Sequence, residues 1–202
     1  PDGGLSLRVH GAGKQVVGEV GQGNRKDIRN AVEAARAAAP GWQKATGHNR
    51  AQILYFMAEN LAARGDEFAR RLQLQTGAGS AAARSEVEAT IEQLFSAAAW
   101  ADKYDGAIHA TPIRNVTLAV PEPIGVMAIL LPDAPPLLAF AALAAHAFAM
   151  GNALVLVPSP RHPLSVTDLY QVLETSDVPA GTLNIVTGDR DELAKTLAEH
   201  DD

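Results

Sequence analysis

Three short apolar runs alternate with helix-forming stretches over residues 124–202, and that order constrains the fold more than any other feature. The runs are 125–131, 153–157 and 183–186, and the first two are continuous apolar stretches of buried-strand type. Helical segments follow at 137–150, 165–175 and 189–199. Pro135-Pro136 precedes the first of these helices and Gly151-Asn152 ends it. This β-α-β-α-β-α order predicts a parallel sheet with right-handed crossovers, an α/β fold.

The first half reads differently. Residues 5–9 and 16–20 are β-prone and flank Gly11-Ala12-Gly13-Lys14, which predicts a hairpin. Asn24 caps a helix with Ile28, Val32 and Ala35 on one face, and Pro40-Gly41 is expected to end it. A second helix starts near Thr46, carries Ile53, Leu54, Phe56, Met57 and Leu61, and stops at Arg64-Gly65. A short helix bears Phe68, Leu72 and Leu74, and Gly77-Ala78-Gly79-Ser80 breaks it. A long Ala-rich helix over 81–104 puts Val87, Ile91, Leu94, Phe95 and Trp100 inward. Strands at 108–111 and 115–120 form a two-stranded ribbon around Pro112. The expected layout is a hairpin and helical region over 1–105, a β-flap over 106–123 and the α/β segment over 124–202.

Composition removes several function classes. The chain has no cysteine, so it holds no disulfide, thiolate metal site or cysteine nucleophile. A net charge of −6 argues against nucleic-acid partners and acidic membrane surfaces. The weakly polar stretch 124–157 is interrupted by Pro132, Asp133, Pro135, Pro136, His146, Gly151 and Asn152, which excludes a membrane helix. The first residues lack a signal-peptide layout, and a cytoplasmic location is expected.

Four segments in order carry a resemblance: Glu122-Pro123-Ile124-Gly125-Val126, the stretch 149–156 (AMGNALVL), the stretch 178–188 (VPAGTLNIVTG), and His200. Together with the helix at 27–39, Trp42 and Arg50, this pattern resembles the aldehyde dehydrogenase superfamily over nearly all of the chain. The resemblance implies a Rossmann-like sheet with helices on both faces, and a protruding antiparallel flap that pairs with another subunit. It also implies NAD- or NADP-dependent oxidation of aldehydes to acids. In that reaction a cysteine forms a thiohemiacetal, and a glutamate activates water. Both of these residues are expected downstream of the matched region.

The positions that match the family's cofactor and substrate motifs depart from its pattern. The Pro-Trp-Asn motif reads Pro132-Asp133-Ala134, so no amide donor faces the oxyanion, a loss worth about a hundred- to a thousandfold in rate. The Lys-Pro-Ser-Glu motif reads Val157-Pro158-Ser159-Pro160, and neither Val157 nor Pro160 offers a side-chain partner to a ribose hydroxyl. The glycine-bearing turn keeps Gly188 but has Arg190 and Ala194 where further glycines stand in the family. Arg190 either obstructs backbone approach to a ligand or grips a phosphate. Asp189, Asp191 and Glu192 beside it repel a diphosphate and favour obstruction. The inherited cofactor positions are thus Pro132, Val157, Ser159, Gly188 and Arg190, and no catalytic residue is assigned.

The remaining signals read as structural. Ser159 either caps its turn or contacts a ligand, Asp133 reads as a solvated loop acid, and His146 as a packed core or surface histidine of its helix rather than a ligand. The Gly77–Ser80 cluster lacks the Lys-Ser/Thr ending of a phosphate loop. The histidines show no metal-ligand spacing, so no metal is expected. The reading that follows is a degenerate domain, inactive alone. It would support assembly or activity of a catalytic aldehyde dehydrogenase module, or a like subunit, docked through residues 108–120. The alternative is the cofactor-binding front of a divergent active enzyme.

Overall fold

The computed structural model describes residues 4–104 and 106–200; Asp201 and Asp202, at the end of the last expected segment, lie outside them. An antiparallel hairpin comes first, β1 (Ser6–His10) against β2 (Val16–Gly21), with a register shift between Val9 and His10. Four helices follow: α1 (Arg25–Lys44), α2 (Gly47–Ala63), α3 (Gly65–Thr76) and α4 (Ser80–Ala101). A two-stranded flap joins β3 (Ala107–His109) to β4 (Thr117–Ala119). The second half is β5 (Val126–Leu130), α5 (Leu138–Phe140), a π-helical turn at Ala141–Ala145, α6 (His146–Ala149) and β6 (Ala153–Val157). It continues through α7 (Leu164–Thr167), α8 (Tyr170–Thr175), β7 (Leu183–Ile185) and α9 (Arg190–Ala198).

The strands β5, β6 and β7 form one parallel sheet in that order, as the alternation of apolar runs predicts. Every residue of β6 is buried, and its alternate side chains feed two cores. Ala153, Val155 and Val157 pack with Ile28, Val32 and Ala35 of α1 and Leu193 of α9. Leu154 and Leu156 join the larger core on the other face, with Leu54, Leu61, Leu94, Phe140 and Phe148. A helix from the first half of the chain therefore covers one face of a sheet from the second. The hairpin is tied to the sheet as well: Gly23 N–H donates to Thr187 O at 2.7 Å, and Thr187 Oγ1 to Gly21 O at 2.6 Å.

Several local expectations are corrected. The first helix does not end at Pro40-Gly41 but runs on to Lys44. Pro40 removes one backbone donor, at a usual cost of about 3 kcal/mol. The helix continues because Trp42 is anchored beyond it, stacked on Phe148 at 4.3 Å and donating from Nε1 to Phe148 O at 3.0 Å. Trp100 is exposed rather than inward, and Leu74 on α3 is exposed as well. The buried stripes pass instead through Leu72 and Gln75 on α3, and through Leu94, Ala97, Ala98 and Ala101 on α4. β5 is only half-buried, because it stands at the sheet edge with β6 alone beside it. The helix expected over 165–175 is broken into α7 and α8, and the flap strands are shorter than the ribbon predicted.

Two polar side chains fix where helices begin and end around the sheet. Glu86 on α4 accepts from the N–H groups of Leu137 (2.8 Å) and Leu138 (3.2 Å) with Oε1, capping α5 from another element. Arg50 donates from Nε to Ala149 O at 2.8 Å and from Nη1 to Ala45 O, joining the ends of α6 and α1.

Candidate functional site

In open α/β sheets ligands bind outside the carboxyl ends of the strands, and the expected site residues gather there. The turn after β5 carries Pro132, Asp133 and Ala134; β6 ends in Val157 and leads to Ser159; the turn after β7 carries Gly188, Asp189 and Arg190.

Ser159 is 2% exposed and stands at the centre of this group. Its Oγ donates to Asp133 Oδ1 at 2.7 Å and accepts from the N–H groups of Arg161 (3.1 Å) and His162 (3.2 Å). Of the two open readings, the structure therefore shows the cap. Asp133 is a loop acid with its side chain 38% exposed, as expected, but it is also held by partners. The same Oδ1 also takes a bond from Arg190 Nη2 at 2.6 Å, so one carboxylate oxygen bridges the turns after β5, β6 and β7. The Ser159 hydroxyl, and then Arg190, hold the Asp133 carboxyl below the ordinary carboxylate range, with a smaller contribution from Arg161.

That depression sets an expected pH dependence. A carboxyl with a lowered folded pKa contributes stability above its unfolded value, near 3.9, and loses it as pH falls through the folded value. Asp133→Asn is therefore expected to be less stable than the parent at neutral pH. The gap should narrow on acidification below about pH 4. Denaturant melts at pH 7 and pH 3 check this, and a gap that widens in acid contradicts it.

The other inherited positions point elsewhere. The Val157 side chain is wholly buried in the core beside α1 and cannot reach a ligand. Pro132 and Ala134 are exposed and offer no side-chain donor. Gly188 is held by packing: a Cβ there would stand 3.0 Å from the Gly23 oxygen, so the hairpin strap needs glycine at this crossing. Arg190 is the first residue of α9, and its side chain, 30% exposed, reaches across to Asp133 in the turn after β5.

α9 begins behind this group. Asp189 caps it, its Oδ1 accepting from Asp191 N–H (3.0 Å) and Glu192 N–H (3.1 Å). The amides that would bind an anion at a helix N-terminus are thus engaged by the chain's own carboxylate.

Nothing in the sequence around His162 marks it as a site residue. Its Nδ1 is buried and lacks a partner among the described residues, as does Arg190 Nε. Burial, and then the Arg161 charge, push the His162 pKa down, opposed by Asp133 and Glu86. A serine two and three residues before backbone donors signals a turn cap. Nothing local signals the approach of Arg190 to Asp133, which lie 57 residues apart.

A separate concavity of about 640 Å³ lies along the open edge of β7, lined by Ala31, Tyr170, Leu173, Asn184, Ile185 and Val186. It is an unpaired strand edge, distinct from the polar cluster at the strand ends. Among the described residues no group of three or more metal-ligating side chains is present, and no helix is long and apolar enough to cross a membrane.

The aldehyde dehydrogenase family model matches residues 8–202. Hydroxyisobutyraldehyde dehydrogenase of Mycolicibacterium austroafricanum is 35% identical over 182 residues, covering 90% of this chain and 36% of that protein. Cytosolic 10-formyltetrahydrofolate dehydrogenase of Mus musculus is 30% identical, covering 93% of this chain and 22% of that protein. Among solved structures, betaine aldehyde dehydrogenase from Staphylococcus aureus in complex with NAD+ matches with a TM-score of 0.92 at 26% identity, over 96% of this chain and 40% of that one. An E. coli NADP-dependent enzyme matches with a TM-score of 0.94 at 27% identity, over 98% and 41%. The chain thus spans well under half the length of each of these relatives.

Proposed function

The chain belongs to the aldehyde dehydrogenase family, and from that premise we propose that it is a non-catalytic domain supporting the assembly or activity of a catalytic aldehyde dehydrogenase module or a like subunit. The observation that carries the reading is the bridge of Asp133 to Ser159 and Arg190 across the strand ends. The residues present do not fit NAD or NADP. A carboxylate stands at the crevice, the α9 amides are already capped, and neither the buried Val157 nor Pro160 can bond a ribose hydroxyl. A buried polar group left without its partner costs about 1–3 kcal/mol.

Support for a docking role comes from the flap. Its two strands expose Ile108 (76%) and Leu118 (62%), which lie directly opposite each other. A two-stranded ribbon with both outer edges unpaired and an apolar face is built to add to another sheet.

Calorimetry of the chain with NAD tests the reading. No saturable binding is expected at concentrations that fill a micromolar site. Micromolar affinity overturns the proposal. It would instead favour the second reading, the cofactor-binding front of a divergent active enzyme whose cysteine and glutamate lie beyond the matched region. The likeness of the backbone to an enzyme solved with NAD+ is what keeps that second reading in view.

A further inference from the structure

Arg190 is only half used. Its Nη2 donates to Asp133, while its Nε is buried with no partner among the described residues. A guanidinium offers a planar fork that suits two oxygens of one anion, and here a single carboxylate oxygen occupies one prong. That same oxygen holds the Ser159 hydroxyl, and the positive charge of Arg161 also acts on it. Three turns from three strands therefore converge on one negative atom supplied by the chain itself.

We infer that Asp133 is a resident anion: its carboxylate fills the field of Arg190 and Ser159 in which a phosphate-type oxyanion would otherwise lie, and so keeps phosphate-bearing ligands out of the crevice. The inference rests on the cofactor-free reading above and adds its cause. Exclusion comes from one side chain acting as an occupant, beyond the loss of favourable contacts at Val157 and Ala134. Asp133 and Glu86 both act electrostatically on His162; Glu86 is spent on the α5 amides, and burial holds His162 toward its neutral form. Neither replaces the Asp133 charge when that charge is removed.

The test is Asp133→Asn titrated with inorganic phosphate, with the Arg190 Nε–H resonance followed by NMR. Asn keeps the side-chain shape and removes the charge. The expected result is a saturable shift of that resonance, with affinity at least about tenfold above the parent chain, since a unit charge a few ångströms away is worth more than one such step at protein-like dielectric. The double variant Asp133→Asn/Arg190→Gln is expected to lose the gain, read from the Ser159 amide. Asp133→Ala repeats the titration if the Asn variant does not fold. A folded variant that binds phosphate no better than the parent overturns the inference, as does a gain that survives Arg190→Gln. These failures are distinct from micromolar NAD binding by the parent chain, which would overturn the reading beneath it.

Discussion

Trp42→Ala lowers the stability of the chain by about 3–5 kcal/mol, the largest effect expected of any single substitution considered. The indole is 2% exposed, stacks on Phe148 and donates to the Phe148 carbonyl. Alanine removes the ring, leaves a cavity between α1 and α6 and orphans that carbonyl where the helix turns toward β6. It also removes the anchor that carries α1 past Pro40. For a chain of this size each kcal/mol moves the melting temperature by about 2–4 °C, so a drop of roughly 6–20 °C is expected. Trp100→Ala is the internal control. That ring is 53% exposed and packs edge-on against Tyr104 at 6.2 Å, so its loss should stay within about 0.5 kcal/mol. Thermal melts of both variants check the pair, and equal losses would contradict the assignment.

The same contrast shows what the sequence makes legible. Periodicity predicts where helices and strands lie, because burying one face is a local demand. The parallel order of β5, β6 and β7 follows from apolar run length and alternation. Which aromatic turns inward is not local. Trp42 finds its partner about a hundred residues away, Trp100 has a ring contact four residues on, and Pro40 reads as a stop until Phe148 is in place. β5 reads as a central strand because an apolar run does not record how many neighbours it has. At the site, the family resemblance identifies the altered positions, and cap chemistry accounts for Ser159 and Asp189. The bridge from Asp133 to Arg190 stays hidden, since only the crossover through β6 and β7 brings those turns together. Gly188 shows the converse: a position inherited from a ligand motif is held here by the backbone of Gly23.

Ile108→Asp with Leu118→Asp is expected to abolish the association proposed for the flap while leaving the fold intact. The two residues pair across β3 and β4, so their side chains share one face. The opposite face carries Ala107 with Ala119 and His109 with Thr117, small or polar pairs. One face is thus suited to burial and the other to water. Neither Ile108 nor Leu118 is in either core, so the chain loses no buried contact when they change. Docking that buries both gains about 1.5–3 kcal/mol for each side chain, and two carboxylates forfeit it. That is roughly a hundred- to a ten-thousandfold weakening. Sedimentation velocity should show the parent associating with its partner or with itself, and the double variant dissociated at the same concentration. Circular dichroism and melting temperature should be unchanged. If the variant sediments as the parent does, the flap is not the docking surface, and support for a catalytic module must come from another face.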